Sequence, residues 1–429
     1  MSRGSLEADP VVVTGRGALT PYGVGIEPYS TALRSGTSAI KDVELQPLEG
    51  LRPAALLPLT SEDWVSDWVA RGDPIAERAR RLIRRAPRPI PLALMASAEA
   101  WTEAGLIGEG HDARRQGVVV AGHDLAMGYE QGLRAKFDVS PHHLPPSFAV
   151  HMMDTDHVGA LSEALSIEGY GMTVGGASAS GTMALIEGAE LIASGRIDQC
   201  LVVGPMADLS AMAIQAFDAI GALGGVAHGG HEASRPFDRG RDGFIFGQAV
   251  GALVLERGSL ARKRGATVFG RILGTGVALD ASAAPAPSAE GEARAMRQAL
   301  QEAGLEPDAI DTINAHGTSS KAGDGVELEA IHSVFGEHTK SLRVQSTKGL
   351  IGHTLWAAGV IEALALLVQM QGGFVHPNAN LMEPIRDDRG LVGGEAMTPG
   401  PTVAMSNSFG FGGINTSLVI ACGDERGAP

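Results

Sequence analysis

Two cysteines in 429 residues are too few for a disulfide framework, and neither Cys200 nor Cys422 sits in a metal-ligand spacing. Aromatic residues make up only 4% of the chain, so its core must be built mainly from Ala, Val, Ile and Leu. No run approaches 18 uninterrupted apolar residues, so no membrane span is expected. The first ten residues lack the charged n-region and apolar h-region of a secretory signal. Together these absences point to a reducing, cytoplasmic setting. Basic residues are also scarce: 34 Lys and Arg against 49 Asp and Glu leave a net charge of −15, which argues against binding nucleic acid. One stretch runs the other way, with Arg78, Arg80, Arg81, Arg84, Arg85 and Arg88 close together. It reads either as a solvated helix face or as a docking patch for an acidic partner.

Apolar residues account for 44% of the chain and glycines number 58, as suits a densely packed α/β protein. Strand-like runs at 11–14, 117–121, 200–203 and 248–256 are interleaved with helical patterns at 28–35, 92–103 and 182–194. After a polar stretch at 257–265 the rhythm repeats. Strands are expected at 266–275 and 312–315, helices at 290–303, 326–335 and 357–368, and a hairpin from 402–405 and 416–421. Strands alternating with helices imply mostly parallel sheets covered by helices. The break near residue 258 divides the chain into structural halves, 1–257 and 258–429. Residues 221–230, rich in Gly and Ala, read as a surface loop.

Most chemistry is concentrated in residues 172–181, Met-Thr-Val-Gly-Gly-Ala-Ser178-Ala-Ser-Gly. An apolar run enters a Gly-Gly turn, and a small polar residue then opens a helix that ends at Gly195. A side chain on such an elbow faces the unpaired N–H groups and positive dipole end of the helix, which stabilise an oxyanion or a deprotonated nucleophile. A hydrolase elbow would need glycine on both flanks, and position 180 is Ser. Three later segments accompany the elbow: Asn314-Ala-His316-Gly-Thr318-Ser-Ser320, Ser346-Thr-Lys348-Gly-Leu-Ile-Gly-His353, and Asn407-Ser-Phe409-Gly-Phe411-Gly-Gly413.

These four motifs stand in the order and at about the spacing seen in β-ketoacyl synthases, and the chain resembles that family, within the thiolase superfamily, over nearly its whole length. The resemblance implies an α/β fold of the duplicated thiolase type, layered α-β-α-β-α with two mixed central sheets. It implies an acyltransferase that takes an acyl chain from a carrier protein and forms a carbon–carbon bond, in fatty-acid or polyketide-type metabolism. Carried over by position, Ser178 stands at the nucleophile site. His316 and His353 donate to the enolate oxygen left when a malonyl unit is decarboxylated, with Lys348 and Glu327 as their polar support. Backbone N–H groups of Ser178 and Phe411 form an oxyanion hole, Phe409 and Phe411 gate the pocket, and Thr318 and Ser320 bind substrate. The resemblance implies no metal and no resident cofactor, because substrate arrives on the phosphopantetheine arm of an acyl carrier protein. It also implies a homodimer, or a heterodimer with a cysteine-bearing ketosynthase, with 149–164 near the contact.

Two departures qualify the match. Ketosynthases carry cysteine where this chain has Ser178, and a neutral hydroxyl needs a general base, a role that would fall to His316 or His353. A threonine that helps hold the malonyl unit is replaced by Pro285. Condensation suffers from both changes, whereas decarboxylation needs only the histidines and the oxyanion pocket. Four readings stay open: an acyltransferase with Ser178 as nucleophile, a silent subunit resembling a chain-length factor, a cyclase acting within one tethered substrate, and a deliberate Cys→Ser replacement.

Overall fold

In the computed structural model, which describes residues 9–423 apart from 59–60, 85, 109, 283–285 and 387–389, strand β1 (Val11–Thr20) is buried along all ten residues. The strands that follow are β2 (Gly23–Val24), β3 (Lys41–Glu44), β4 (Leu51–Ala55), β5 (Gln116–Ala121), β6 (Tyr170–Val174) and β7 (Gln199–Gly204). Beyond these come β8 (Phe246–Gly247), β9 (Val250–Arg257), β10 (Gly270–Leu279), β11 (Thr312–Asn314), β12 (Arg343–Gln345), β13 (Val403–Gly410) and β14 (Ile414–Cys422).

The main sheet runs β12-β11-β13-β14-β10-β1-β9-β7-β5-β6, with β2 beside β1, and β3-β4-β8 form a small separate sheet. The main sheet is a duplication. From β1 outward, β9 and then β7 are antiparallel to their neighbours, while β5 and β6 are parallel. From β10 outward, β14, β13, β11 and β12 repeat that sequence of orientations. Even the irregularity recurs, with register shifts at Val13/Gly15 on β1 and at Ile272/Gly274 on β10. The two mixed sheets expected from the sequence are thus five-stranded halves that meet where Val11–Val13 pair with Gly270–Ile272.

Two helices, Ser180–Ala193 and Ala358–Gly372, lie between the half-sheets. Leu185 and Ile192 share one buried cluster with Leu364, Leu367, Val202 and Ile420, so the pair contacts strands of both halves. They cross where Gly181 meets Gly359: a Cβ on Gly359 would fall 2.3 Å from the Thr182 nitrogen. Pro89–Glu103 covers β1 and β9 on one outer face, and Ala289–Ala303 covers β10 and β14 on the other. The run Leu355–Gly372 is long and apolar enough to cross a membrane by length and composition, but 89% of it is buried within the protein, as befits a central core helix.

Several elements depart from the sequence reading. Strand β1 continues to Thr20, and part of the polar stretch 257–265 is a helix, Gly258–Lys263, whose following residue Arg264 pairs with Glu256. Helices Ser61–Ala70, Met127–Val139, Thr155–Leu165 and Ala211–Ala219 were not expected, whereas Pro74–Ile83 is the helix that one reading of the arginine cluster proposed. In Pro74–Ile83 the buried residues Ile75, Ala76 and Ala79 form one narrow face and the charged residues the other. That helix carries Arg78, Arg80 and Arg81 on its exposed side, where Arg80 pairs with Glu77 and Arg81 with Glu163, while Arg88 precedes the next helix and donates to the carbonyls of Leu57 and Pro58. Arg85 and the Pro285 departure lie outside the described residues.

Candidate active site

The elbow forms because β6 ends against two glycines and Ala177 takes a positive φ of 49°. The tight turn Ala177–Ala179 then enters the central helix at Ser180. Ser180 locks the turn, its hydroxyl accepting from the Gly176 N–H at 2.8 Å and donating to the Ala177 carbonyl at 2.7 Å. Ser178 projects into a cavity of about 630 Å³ and lies with its Oγ 2.8 Å from His353 Nε2.

His353 arrives on a second elbow of the same design. Leu355 has a φ of 53° and heads the tight turn Leu355–Ala357, which enters the other central helix at Ala358. The His353 backbone is pinned on both sides, donating to the Ile245 carbonyl at 2.7 Å and accepting from the Gly247 N–H at 2.9 Å. Its ring Nδ1 accepts the Leu355 N–H at 3.3 Å, which leaves Nε2 as the protonated nitrogen facing Ser178. Burial, reinforced by the Lys348 ammonium, holds the His353 imidazole well below its usual range. The ring is therefore a neutral N–H donor. That polarity does not suit His353 to take a proton from Ser178, a role the sequence left to either His316 or His353.

His316 follows β11. Glu327 fixes this turn by accepting the backbone N–H groups of His316 and Gly317 at 2.8 and 2.7 Å. The His316 ring stands edge-on to His353, with centroids 5.6 Å apart, and 5.6 Å from the Phe409 ring. Burial, then the Lys348 charge, holds His316 neutral as well. Lys348 and Glu327, expected as joint support, do not pair with each other. Lys348 forms a buried ion pair with Glu362 of the central helix instead, each side chain 2% exposed. The sequence reading missed Glu362, although the signal was present: a lone acid inside an otherwise apolar helix needs a partner.

The hairpin turn after β13 closes another side. A Cβ on Gly410 would fall 2.4 Å from the Gly176 carbonyl oxygen, so only glycine lets this turn sit directly on the elbow. Phe409 is buried and Phe411 is 45% exposed, and both line the cavity with Thr318 and Ser320. The Ser320 hydroxyl is engaged, accepting the Gly323 N–H at 3.0 Å. The cavity thus gathers every expected site residue except Lys348, which acts from behind the histidines. Two neutral imidazoles and a hydroxyl converge there. Such a set can stabilise an enolate oxygen, but through His353 it offers Ser178 a donor rather than a base.

Residues 8–261 match the family "Beta-ketoacyl synthase, N-terminal domain" and residues 269–382 match "Beta-ketoacyl synthase, C-terminal domain". The chain is 35% identical to the polyketide biosynthesis malonyl-ACP decarboxylase PksF of Bacillus subtilis (strain 168), over 97% of this chain and 98% of that protein. It is 34% identical to 3-oxoacyl-[acyl-carrier-protein] synthase 2 of Staphylococcus aureus (strain N315), over 96% and 97% respectively. Among solved structures, the ishigamide ketosynthase/chain length factor superposes with a TM-score of 0.82 at 30% identity, covering 96% of this chain and 99% of that one.

Proposed function

The chain belongs to the β-ketoacyl synthase family, a family of acyl-transferring, condensing enzymes, and from that premise we propose that it decarboxylates a malonyl unit carried on an acyl carrier protein and does not condense it. The observation that carries this reading is the geometry at His353: its Nδ1 accepts the Leu355 N–H, which assigns the ring proton to Nε2, 2.8 Å from Ser178 Oγ. Nucleophilic attack by Ser178 would require the opposite polarity. The helix dipole contributes about 0.3–2 kcal/mol, too little to close an acidity gap of several pKa units at about 1.36 kcal/mol each. The relative named as a malonyl-ACP decarboxylase supports the same direction.

In the proposed reaction the malonyl thioester oxygen takes the Nε2–H of His353 and the donor of His316. The bond from the α-carbon to the carboxylate breaks, carbon dioxide leaves, and the electron pair becomes an enolate whose oxygen both imidazoles hold. The α-carbon then takes a proton from water and an acetyl thioester remains. Backbone N–H groups of Ser178 and Phe411 orient the thioester, while Phe409 and Phe411 limit entry of water. Substrate comes on a phosphopantetheine arm, so a carrier protein is the partner. The edge strand β6, free on one side within this chain, suits pairing with a second subunit. No metal or resident cofactor enters these steps.

Purified protein incubated with malonyl-loaded carrier tests the reading by intact mass spectrometry. The expected result is conversion of malonyl-carrier to acetyl-carrier, with loss of the mass of carbon dioxide and no longer acyl product. Malonyl-carrier that stays unchanged relative to a buffer control would reject it and favour a silent, chain-length-factor-like subunit.

A further inference from the structure

The two elbows carry different residues at matching positions. In each, a residue of positive φ precedes the residue that leads into a central helix: Ala177 precedes Ser178, and Leu355 precedes Trp356. Trp356 is 4% exposed and forms part of the cavity wall beside Ser178. Its ring packs against the chain just beyond β5. A Cβ on Gly122, where φ is 117°, would sit 2.9 Å from the indole Cγ, so the backbone there has been cleared to admit the ring. The His123 ring packs against it at 5.8 Å. The indole Nε1–H is buried and has no hydrogen-bond partner among the described residues, so no polar contact holds the ring in place. A buried donor left unpaired is a cost, and the side chain's bulk is what the site gains for it.

Ser178 is bounded by His353 on one side and by the Gly410 turn on another. The elbow adjoins the end of β5, where the Gly122 N–H donates to the Val174 carbonyl at 2.8 Å, and Trp356 packs on Gly122 and lines the same cavity as Ser178. We propose that Trp356 is a specificity-determining residue: its indole takes up the part of the cavity wall at the end of β5, beside the elbow, so that a malonyl or acetyl unit is favoured at Ser178 over longer chains. The proposal rests on the decarboxylase reading for the size of unit received, but its test needs no decarboxylation.

Ser178→Cys supplies a thiol that records which acyl groups reach the site. Three proteins, Ser178→Cys alone and combined with Trp356→Ala or Trp356→Phe, are incubated with acetyl, hexanoyl and decanoyl thioesters of pantetheine, and adducts are followed by intact mass. With Trp356 in place, acetyl is expected to load at least about tenfold faster than hexanoyl or decanoyl, the discrimination a filled apolar pocket gives. The alanine variant should bring the three to within about threefold, with phenylalanine intermediate. If the alanine variant shows no cooperative thermal transition, the phenylalanine variant decides. Equal loading of all three thioesters by Ser178→Cys, or discrimination unchanged by either Trp356 substitution, overturns the assignment. Chain-length discrimination in a protein whose parent leaves malonyl-carrier intact would reject the decarboxylase reading and leave Trp356 standing.

Discussion

The two halves of the molecule share strand order, bulge position, central helix and the positive φ that begins each elbow, yet they differ sharply in chemistry. The N-terminal elbow is sparse, with Ser178 set among Gly and Ala residues. The C-terminal elbow is dense, with His353 and the buried Lys348–Glu362 pair, joined by His316 and Glu327 from the same half. Duplication supplies the geometry, two helix N-termini aimed at one cavity, and divergence decides what each presents. On the proposed reading, serine in place of cysteine at the N-terminal elbow ends acyl transfer while the dense half keeps its chemistry.

The largest effect should come from breaking the dense half from within. Glu362→Gln leaves the Lys348 ammonium buried without its partner, and removing one member of such a pair typically costs about 3–5 kcal/mol. Denaturant titration should show a loss of that order, and one below about 1 kcal/mol would mean that the pair does not hold this half together. Next in size, His316→Ala or His353→Ala should slow release of carbon dioxide from malonyl-carrier by about 100- to 1000-fold. The double variant should lose less than the product of the two, since both rings act on one oxygen. Turnover within about threefold of the parent in both single variants would remove the histidines from the chemistry.

The sparse half should matter less. Ser178→Ala deletes a hydroxyl that accepts one hydrogen bond, worth about 0.5–1.5 kcal/mol, so decarboxylation should fall by no more than about tenfold. A loss beyond about 100-fold would restore Ser178 as a nucleophile and reverse the contrast between the halves. The smallest effect concerns pH. Both histidines are held below their ordinary value, so turnover should stay level as pH falls through about 6.5 and decline only in more acidic buffer. For these two rings stability has the destabilising sense over that interval: unfolded, they take up protons that the folded protein does not, so their contribution falls as pH drops. Glu99, Asp324 and Glu362, pushed up to about 7 by burial, contribute with the opposite sign. An acid limb centred at or above about 6.5 would show imidazoles in contact with bulk water.

Much of the site was legible because each motif is local and its order along the chain is informative. Ser178 and His353 are 175 positions apart, and the resemblance brought them together before any distance was known. What escaped depends on packing. Lys348 seemed matched to Glu327, but Glu327 is committed to two backbone N–H groups and the charge goes to Glu362. The extension of β1 was hidden because Gly15-Arg16-Gly17 reads as a turn. In the fold those glycines admit the Ala96 and Ala100 carbonyls of the covering helix, and Arg16 pairs with Glu103. Met127–Val139 and Ala211–Ala219 bury one side chain each and leave no period, whereas Thr155–Leu165 buries His157, Ala160, Leu161, Ala164 and Leu165 at helical spacing, a period that was there to be read. Trp356 lay in plain view, but its meaning depends on the elbow it shares with Leu355 and on the backbone at Gly122.

A protein that presents the Ser178 hydroxyl where the family resemblance would place a cysteine thiol also differs in durability. Cys200 is fully buried and burial pushes its thiol up, so it is slow to ionise, and Cys422 lies at the end of β14 outside the cavity wall. Hydroxyls do not climb the sulfenic-to-sulfonic ladder, and alkylating agents seek thiolates. The cavity is therefore expected to withstand peroxide and iodoacetamide, conditions that threaten any enzyme working through an exposed thiolate, and to be unresponsive to inhibitors whose warheads depend on capturing one.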